Sequence, residues 1–212
     1  MKRKVSYTAS NHYESLNSLT ERTQYIWIVF HGMGYLSRYF LKYFKGLPAD
    51  EHYIIAPQAP SRYYMDKAFK NVGASWLTKE DTELEKENVL KYLDAVFGSE
   101  GLDAYSNIIV LGYSQGVSIA SRWVAHRKLE CKKLIFYAGG IPNELGADDF
   151  DFLSTDTPVY LIYGDEDPYL TKSRLEIEKE KLNRLFGKRT HIINFKGGHE
   201  LKPQQLDQII NK

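Results

Sequence analysis

Short apolar runs alternate with longer stretches of helical periodicity along almost the whole sequence. Five of these runs are continuously apolar and rich in β-branched and aromatic residues: 25–30, 52–56, 107–111, 133–137 and 159–163. Such runs are typical of strands that are buried on both faces of a parallel sheet. The alternation predicts an α/β fold, in which a mostly parallel central sheet carries helices on both faces.

The longest helical pattern lies between the second and third apolar runs. Its apolar residues are spaced at i, i+4, i+7 and i+8: Val89, Leu93, Val96 and Phe97. Because this spacing places them on one face, we predict a surface helix over residues 80–97 whose charged residues form the solvated face. Thr78 and Asp81 fit a capping box at the start of this helix.

Three further segments complete the pattern of elements. Apolar residues at helical spacing over residues 175–186 predict a second amphipathic helix, although Glu178 interrupts their stripe. Pro203 is placed to open a short final helix, because proline is favoured in the first turn. Residues 5–9 fit an antiparallel strand at the edge of the sheet.

Two long stretches have no clear helical or strand pattern. Residues 57–75 are rich in aromatic side chains, and residues 139–158 are rich in Asp, Gly and Pro. Each stretch follows a predicted strand. Open α/β sheets bind ligands in loops at the carboxyl ends of their strands, so we predict that these two loops form walls of a pocket.

Composition excludes several classes of protein. The chain has 212 residues, 43% of them hydrophobic, and no repeat or linker, so we predict a single domain over residues 1–212. Lys and Arg number 28 against 27 Asp and Glu, and this balance argues against nucleic acid as a partner. No apolar run reaches the roughly 18 residues of a membrane span, and the residues after Met1 do not resemble a signal peptide. A soluble, cytoplasmic protein is predicted, and the single cysteine, Cys131, fits a reducing compartment.

Residues 112–116, with the sequence Gly-Tyr-Ser-Gln-Gly, are the most specific feature of the chain. They directly follow the predicted strand 107–111 and directly precede a helical pattern. A serine on such a turn is held in a strained conformation with its hydroxyl exposed, and the flanking glycines remove side chains that would collide. The helix N-terminus behind it supplies unpaired N–H groups. We therefore predict that Ser114 is a nucleophile.

A serine nucleophile needs a base to remove its proton and an acid to orient that base. The fifth apolar run is followed by three acids on one turn, Asp165, Glu166 and Asp167. A later strand-like run, residues 191–195, is followed by a glycine-rich turn that ends at His199. The chain order Ser, Asp, His on successive strand ends favours His199 as the base and leaves the choice among the three acids open.

The segment His31-Gly32-Met33-Gly34 directly follows the first long apolar run. Acyl-transfer sites with such a serine use two backbone N–H groups to stabilise the oxyanion of the tetrahedral intermediate. One comes from a glycine-containing loop after a strand and the other from the residue after the nucleophile. Met33 and Gln115 are therefore the predicted donors.

Five segments together resemble those of a known family: HGMG, APQAPSR, GYSQG, GDEDP and GGHE. In this order they look like the α/β-hydrolase branch of small carboxylesterases, lysophospholipases and acyl-protein thioesterases, from about residue 26 to the C-terminus. The resemblance implies that Ser114 is the nucleophile, Asp167 the acid and His199 the base. It also implies that the N–H groups of Met33 and Gln115 form the oxyanion hole. Trp76 is similar in place to a family tryptophan near the acyl pocket.

The resemblance implies an enzyme that cleaves carboxylic esters through an acyl-serine intermediate, without a metal or a cofactor. The loop 139–158 is too short for a large cap domain, so we expect an open site and short to medium acyl groups. Tyr63 and Tyr64, in the aromatic loop, are the expected acyl contacts together with Trp76. Tyr35 stands where family members usually carry an aspartate, a departure that concerns the substrate rather than the chemistry.

Two alternatives remain open at this point. The first is a lysophospholipase or acyl-protein thioesterase that acts on long acyl chains. The second is an inactive hydrolase fold that serves as a binding module, which any esterase turnover would exclude. The expected partner is a small-molecule ester, and a homodimer is left open.

Overall fold

The central sheet is parallel except at one edge. In the computed structural model, which describes residues 1–210, its strands are Tyr13–Leu16 (β1), Tyr25–Phe30 (β2), His52–Pro57 (β3), Ile108–Tyr113 (β6), Lys133–Tyr137 (β7), Val159–Gly164 (β8) and Thr190–Phe195 (β9). They lie in the order β1-β3-β2-β6-β7-β8-β9. Strand β1 pairs with β3 antiparallel, and the other pairs are parallel. The predicted mostly parallel sheet is confirmed.

Helices cover both faces of this sheet, as predicted. They are Ser37–Phe40 (α1), Thr82–Ser99 (α2), Gln115–Arg127 (α3), Lys172–Phe186 (α4) and Pro203–Ile210 (α5). Apolar residues of α2, α3 and α4 belong to one buried cluster, and those of α1 and α5 belong to another. The arrangement is that of the α/β-hydrolase fold.

Strand β2 shows why the apolar runs are continuous. Ile26, Ile28 and Phe30 lie in the cluster under α2, α3 and α4, whereas Trp27 and Val29 lie in the cluster under α1 and α5. Successive side chains of a strand point to opposite faces. Because both faces of the sheet are covered, every position of the strand is apolar.

The capping box predicted at the start of α2 is wrong. Asp81 adopts a left-handed conformation (φ 50°) and makes no side-chain cap, so the helix begins at Thr82. The Thr78 hydroxyl donates to the carbonyl of Glu80 at 3.2 Å, and the Thr78 N–H donates to the Glu85 carboxylate at 2.8 Å. The Thr78 hydroxyl oxygen also accepts the Glu80 N–H at 3.2 Å, so these contacts form a turn before the helix instead of a capping box.

The edge strand predicted over residues 5–9 is also wrong. Those residues have no regular structure and are exposed. The antiparallel edge strand is β1, in which Tyr13 packs against the core while its hydroxyl meets Ser99 at 3.2 Å. Val5 and Tyr7 are more than four-fifths exposed, so this part of the chain buries no side chain against the sheet.

The two stretches without a clear pattern, residues 57–75 and residues 139–158, differ in structure. The first contains a small antiparallel hairpin, formed by Ser61–Tyr64 (β4) and Val72–Ser75 (β5), which the sequence pattern did not indicate. The second contains only a 3₁₀ turn over Ala147–Phe150, so no large cap is present among the described residues. Within residues 1–210, no helix is both long and apolar enough to cross a membrane.

Candidate active site

The carboxyl ends of β2, β6, β8 and β9 lie along one edge of the sheet. Parallel strands end at the same edge, so loops that are far apart in the sequence meet there. Ser114 follows β6, Asp167 follows β8 and His199 follows β9. The three residues proposed for the chemistry are therefore brought to one edge by the sheet itself.

Ser114 lies on a turn that only this local sequence permits. Its backbone has φ 53° and ψ −119°, a sparsely populated conformation that persists only where the surroundings enforce it. A Cβ at Gly112 would lie 2.5 Å from the Gly116 carbonyl oxygen, and a Cβ at Gly116 would lie 2.1 Å from the Phe30 carbonyl oxygen. The Ser114 N–H donates to the Tyr137 carbonyl at 2.8 Å. Close packing of strand, helix and neighbouring strand thus holds the serine in place.

A chain of two hydrogen bonds joins the three side chains. His199 Nε2 lies 2.9 Å from Ser114 Oγ, and His199 Nδ1 lies 2.7 Å from Asp167 Oδ2. A carboxylate can only accept, so Nδ1 carries the proton in this arrangement. Nε2 is then free to accept the proton of the serine hydroxyl.

Of the three acids after β8, only Asp167 contacts His199. Its side chain is fully buried, and its second oxygen, Oδ1, accepts the N–H groups of Tyr169 at 2.8 Å and Leu170 at 3.3 Å. Asp165 accepts the N–H of Gly197 at 3.0 Å, and Glu166 is exposed. The turn therefore uses Asp165 to brace the histidine loop and Asp167 to hold the histidine ring.

Two tyrosine rings pack against His199, one of them buried and the other exposed to solvent. The ring of Tyr113 is 5.4 Å away and buried, and its hydroxyl donates to the His199 carbonyl at 3.0 Å. The ring of Tyr169 is 4.7 Å away and exposed. Tyr35, the departure from the family pattern, meets Tyr113 edge-on at 5.9 Å. Tyr35, at the position where family members usually carry an aspartate, thus belongs to an aromatic cluster behind His199.

The loop after β2 passes directly beside the serine. A Cβ at Gly32 would lie 3.1 Å from Ser114 Cβ, which places the next residue, Met33, next to the turn that holds Ser114. Gln115 is the first residue of α3, where N–H groups have no partner within the helix. Among residues 1–210, neither the Met33 nor the Gln115 N–H donates to a protein acceptor. Both groups remain available to a substrate oxygen.

His31 is a buried anchor of this loop. Its Nε2 accepts the Ala59 N–H at 3.1 Å, so the neutral ring carries its proton on Nδ1 and donates to the Gly32 carbonyl at 2.8 Å. Burial lowers the pKa of His31 to about 4. The ring is therefore neutral at physiological pH and keeps both hydrogen bonds.

Hydrogen bonds of Trp76 and of the Gln115 side chain connect the loop after β2, the segment after β5 and the start of α3. Trp76 is fully buried, and its indole N–H donates to the His31 carbonyl at 2.8 Å. Gln115 Oε1 accepts the Trp76 N–H at 2.8 Å, and Gln115 Nε2 donates to the Leu77 carbonyl at 2.8 Å. Trp76 thus lies beneath the site rather than on its open surface.

The β4–β5 hairpin leans on the loop that holds Met33. The Gly34 N–H donates to the Ala74 carbonyl at 2.8 Å, and a Cβ at Gly34 would lie 3.8 Å from the Tyr63 hydroxyl. Tyr63 is therefore brought beside the site. Tyr64 packs instead against Phe69 at 5.1 Å, near the tip of the hairpin. Both tyrosines are exposed.

The loop after β7 supports the serine from behind. A Cβ at Gly139 would lie 2.3 Å from the Ser114 carbonyl oxygen. Ile141, two residues further along this loop, is held by two buried charges of α4: its N–H donates to Glu178 at 2.9 Å, and its carbonyl accepts from Lys181 at 2.9 Å. Glu178 also accepts from Arg174 at 2.9 Å. The glutamate that interrupts the apolar stripe is thus part of a closed network.

The described residues contain no group of three His, Cys, Asp or Glu side chains that could hold a metal ion. One concavity is an open groove of about 1050 Å³ at the opposite edge of the sheet, where it is lined mainly by the loops before β6 and before β7. None of its lining residues belongs to the candidate site. The hydrogen-bonded side chains, rather than the size of a cavity, therefore locate the chemistry.

Comparisons with known proteins identify the family of the chain. The family model for phospholipases/carboxylesterases matches residues 11–212. The chain belongs to the phospholipase/carboxylesterase family. No curated protein matches the sequence. Membership makes the protein a hydrolase of this type, and the predicted family is confirmed.

Solved structures of similar fold extend over nearly the whole chain. A phospholipase/carboxylesterase from Dyadobacter fermentans is 20% identical with a TM-score of 0.70, and the match covers 98% of each chain. Zea mays acyl-protein thioesterase 2 is 16% identical with a TM-score of 0.69, covering 95% of this chain and 97% of the other. The Bacillus cereus carboxylesterase is 15% identical with a TM-score of 0.66, covering 96% and 93%. At these identities the likeness shows the shared fold.

Three residues of this family member were missed by sequence reasoning. His31 was noted only as part of its motif, and its burial has no sequence signal. Tyr169 follows the Asp-Pro pair without any pattern of its own. Glu178 did carry a signal, because a glutamate within the apolar stripe of a helix indicates a buried partner.

Proposed function

We propose that this protein is a serine hydrolase that cleaves carboxylic esters of short to medium acyl chains through an acyl-serine intermediate. One observation carries the proposal: a single histidine, His199, contacts Ser114 Oγ through one ring nitrogen and the buried Asp167 carboxylate through the other. This arrangement supplies a base for a hydroxyl that is otherwise a poor nucleophile.

In the proposed first half-reaction, His199 Nε2 takes the proton of Ser114 as Oγ attacks the ester carbonyl. The carbonyl oxygen becomes an oxyanion, which accepts hydrogen bonds from the N–H groups of Met33 and Gln115. The Asp167 carboxylate stabilises the imidazolium that forms. His199 then gives its proton to the leaving oxygen as the carbon–oxygen bond breaks, and the acyl group remains on the serine.

In the second half-reaction water replaces the alcohol. His199 Nε2 removes a proton from the water, whose oxygen attacks the acyl carbon and forms a second tetrahedral intermediate. The same two N–H groups stabilise its oxyanion. The proton then returns to Ser114 Oγ, which leaves as the hydroxyl, and the carboxylic acid is released. No step needs a metal or a cofactor.

The acyl contacts follow from the exposed side chains near the oxyanion loop. Tyr63 lies beside Gly34, and Tyr64 extends the same strand toward the hairpin tip. Trp76 belongs to the proposal as a support for the wall, since its indole is buried under the His31 carbonyl. With no cap over this side, the apolar wall is short, and this favours short to medium acyl groups.

A second candidate function is that of a lysophospholipase or acyl-protein thioesterase acting on long acyl chains. The observation that favours it is the row of exposed apolar side chains toward the tip of the hairpin: Tyr64, Met65, Phe69 and Val72. Each buried methylene contributes about 0.8 kcal/mol for as long as the wall continues. The two candidates therefore differ in where catalytic efficiency stops rising with chain length.

Three measurements test the proposal. A fluorophosphonate probe should label the wild type at Ser114 alone, and Ser114→Ala should lose about a million-fold in kcat. Labelling elsewhere, or an Ala variant with more than a few per cent of activity, would refute it. An ester series measured below micelle-forming concentrations should level off at medium chains; a steady rise to palmitoyl would favour the second candidate.

The remaining expectations stay part of the proposal. The partner is a small-molecule ester in the cytoplasm, chelators leave turnover unchanged, and sedimentation would decide whether the protein forms a homodimer. A protein that turns over no ester or thioester would return the question to a binding module.

A further inference from the structure

Tyr169 is the exposed aromatic residue in direct contact with the candidate base. Its ring centroid lies 4.7 Å from that of His199 at an angle of 70°, and the residue is 73% exposed. The other ring on His199, that of Tyr113, is 2% exposed. A single exposed aromatic ring is normal on a protein surface, so its position rather than its exposure needs an explanation.

The backbone of Tyr169 is fixed by the same carboxylate that holds the histidine. Its N–H donates to Asp167 Oδ1 at 2.8 Å. The next residue, Leu170, is buried, and Thr171 caps α4 by accepting the Arg174 N–H. Within residues 1–210, the Tyr169 hydroxyl has no hydrogen-bond partner. The side chain is thus held at a defined place with its ring and hydroxyl open to a ligand.

The order of the strands separates the two ends of an ester. Ser114 follows β6, the loops with Asp167, Tyr169 and His199 lie on the β8 and β9 side, and the β4–β5 hairpin contacts the loop after β2 on the other side. An ester bound at the serine therefore has the hairpin at one end and Tyr169 at the other.

The chemistry decides which end is which, and this step rests on the proposed function. His199 Nε2 must come within hydrogen-bond distance of the leaving oxygen in order to protonate it. The alcohol part of the substrate therefore passes along the exposed side of His199, where Tyr169 lies. The acyl part extends toward Met33 and Tyr63.

We propose that Tyr169 determines specificity for the leaving group. Contact with its ring favours esters of apolar alcohols, and above all of aromatic alcohols, over esters of small alcohols. An aromatic ring gains apolar burial and an edge or stacking contact with the tyrosine, whereas a methyl group reaches neither. The inference assigns a class of alcohol, which the family and the catalytic residues leave open.

The test varies the alcohol and the acyl group separately. Methyl, propyl and benzyl butyrate form the first series, and methyl esters of increasing acyl length form the second. Tyr169→Ala should lower kcat/KM for benzyl butyrate about tenfold more than for methyl butyrate, while Tyr169→Phe keeps the wild-type ratio. The matched control Tyr105→Ala, an exposed tyrosine at the opposite edge of the sheet, should change neither series.

A second readout uses the reverse of the alcohol step. The acyl-enzyme made from p-nitrophenyl butyrate partitions between water and added benzyl alcohol or methanol, and Tyr169→Ala should reduce transfer to benzyl alcohol selectively. Equal losses for all alcohols, or a change confined to the acyl series, would overturn the inference while Ser114 turnover still supports the proposed function. A wild type without turnover of any ester would overturn both.

Discussion

The loop after β7 and the β4–β5 hairpin both flank the candidate site, yet one is buried and the other exposed. Behind Ser114, Ile141 is held through both its N–H and its carbonyl by the buried Glu178 and Lys181. In front, Tyr64 and Phe69 pack against each other on the surface. From this difference we infer two separate roles: buried hydrogen-bond networks position the reacting atoms, and exposed side chains determine substrate specificity.

The largest effect expected from this division is on the orientation of His199. Asp167→Asn keeps the size of the side chain but removes the charge that stabilises the imidazolium, so kcat should fall about ten-thousand-fold. Asp165→Asn is the matched control on the same turn, because Asp165 contacts the Gly197 N–H and not the histidine. If Asp165→Asn were the more damaging change, the assignment of the acid would have to move.

The next effect concerns the buried network behind the serine. Glu178→Ala leaves Lys181 and Arg174 without their carboxylate, and breaking a buried pair in this way costs about 3–5 kcal/mol of unfolding free energy. Glu87→Ala is the matched control, since it breaks an exposed pair with Lys91 on α2. Denaturant unfolding should show a clear loss for the first variant and no measurable loss for the second. Equal unfolding midpoints for the two variants would contradict a stabilising role for the buried network around Glu178.

A slightly smaller effect should appear as a dependence of stability on pH. Because burial lowers the pKa of His31 to about 4 from 6.5, the unfolded chain binds a proton there before the folded one does. The contribution of the neutral ring is complete above pH 6.5 and is lost as the pH falls toward 4, about 3 kcal/mol in all.

His31→Gln isolates this contribution from the titration of other groups. The stability difference between wild type and variant should shrink by that amount between pH 6.5 and pH 4. Urea unfolding at several pH values measures it. A constant difference over this range would mean that His31 is not held neutral by burial.

The smallest effect should come from the exposed hairpin. Tyr63→Ala removes one proposed acyl contact, so kcat/KM for butyrate or hexanoate esters should fall about fourfold relative to acetate, the value of roughly one methylene. The thermal midpoint should not change, because the side chain is exposed. A loss of stability without a change in acyl preference would assign Tyr63 to the fold instead.

Sequence reasoning succeeded where burial on two faces dictates residue type. The runs that became β2 and β7 have the predicted bounds, because a strand covered by helices on both faces is apolar at nearly every position; Lys133, at the start of β7, is the exception. The turn of Ser114 was equally predictable, since its glycines are required by contacts as short as 2.1 Å. The choice of Asp167 among three acids came from the family resemblance and not from the turn itself.

The failures lie where polar contacts or exposure replace that constraint. Residues 5–9 alternate like a strand, but they have no surface to cover, and the chain pairs with β3 only from Tyr13. The β4–β5 hairpin was missed because its outward side chains are aromatic without a buried partner to set a period. The cap of α2 failed because Thr78 is engaged with Glu85.

The strained backbone of Ser114 also has a consequence for the evolution of this position. A side-chain-bearing residue at φ 53° and ψ −119° costs on the order of 1–3 kcal/mol, a cost that glycine avoids. A protein that used this fold only for binding would gain stability from a Ser114→Gly substitution, and selection for stability would favour that change. A serine at this position is therefore a burden that selection has reason to keep only while its hydroxyl is in use.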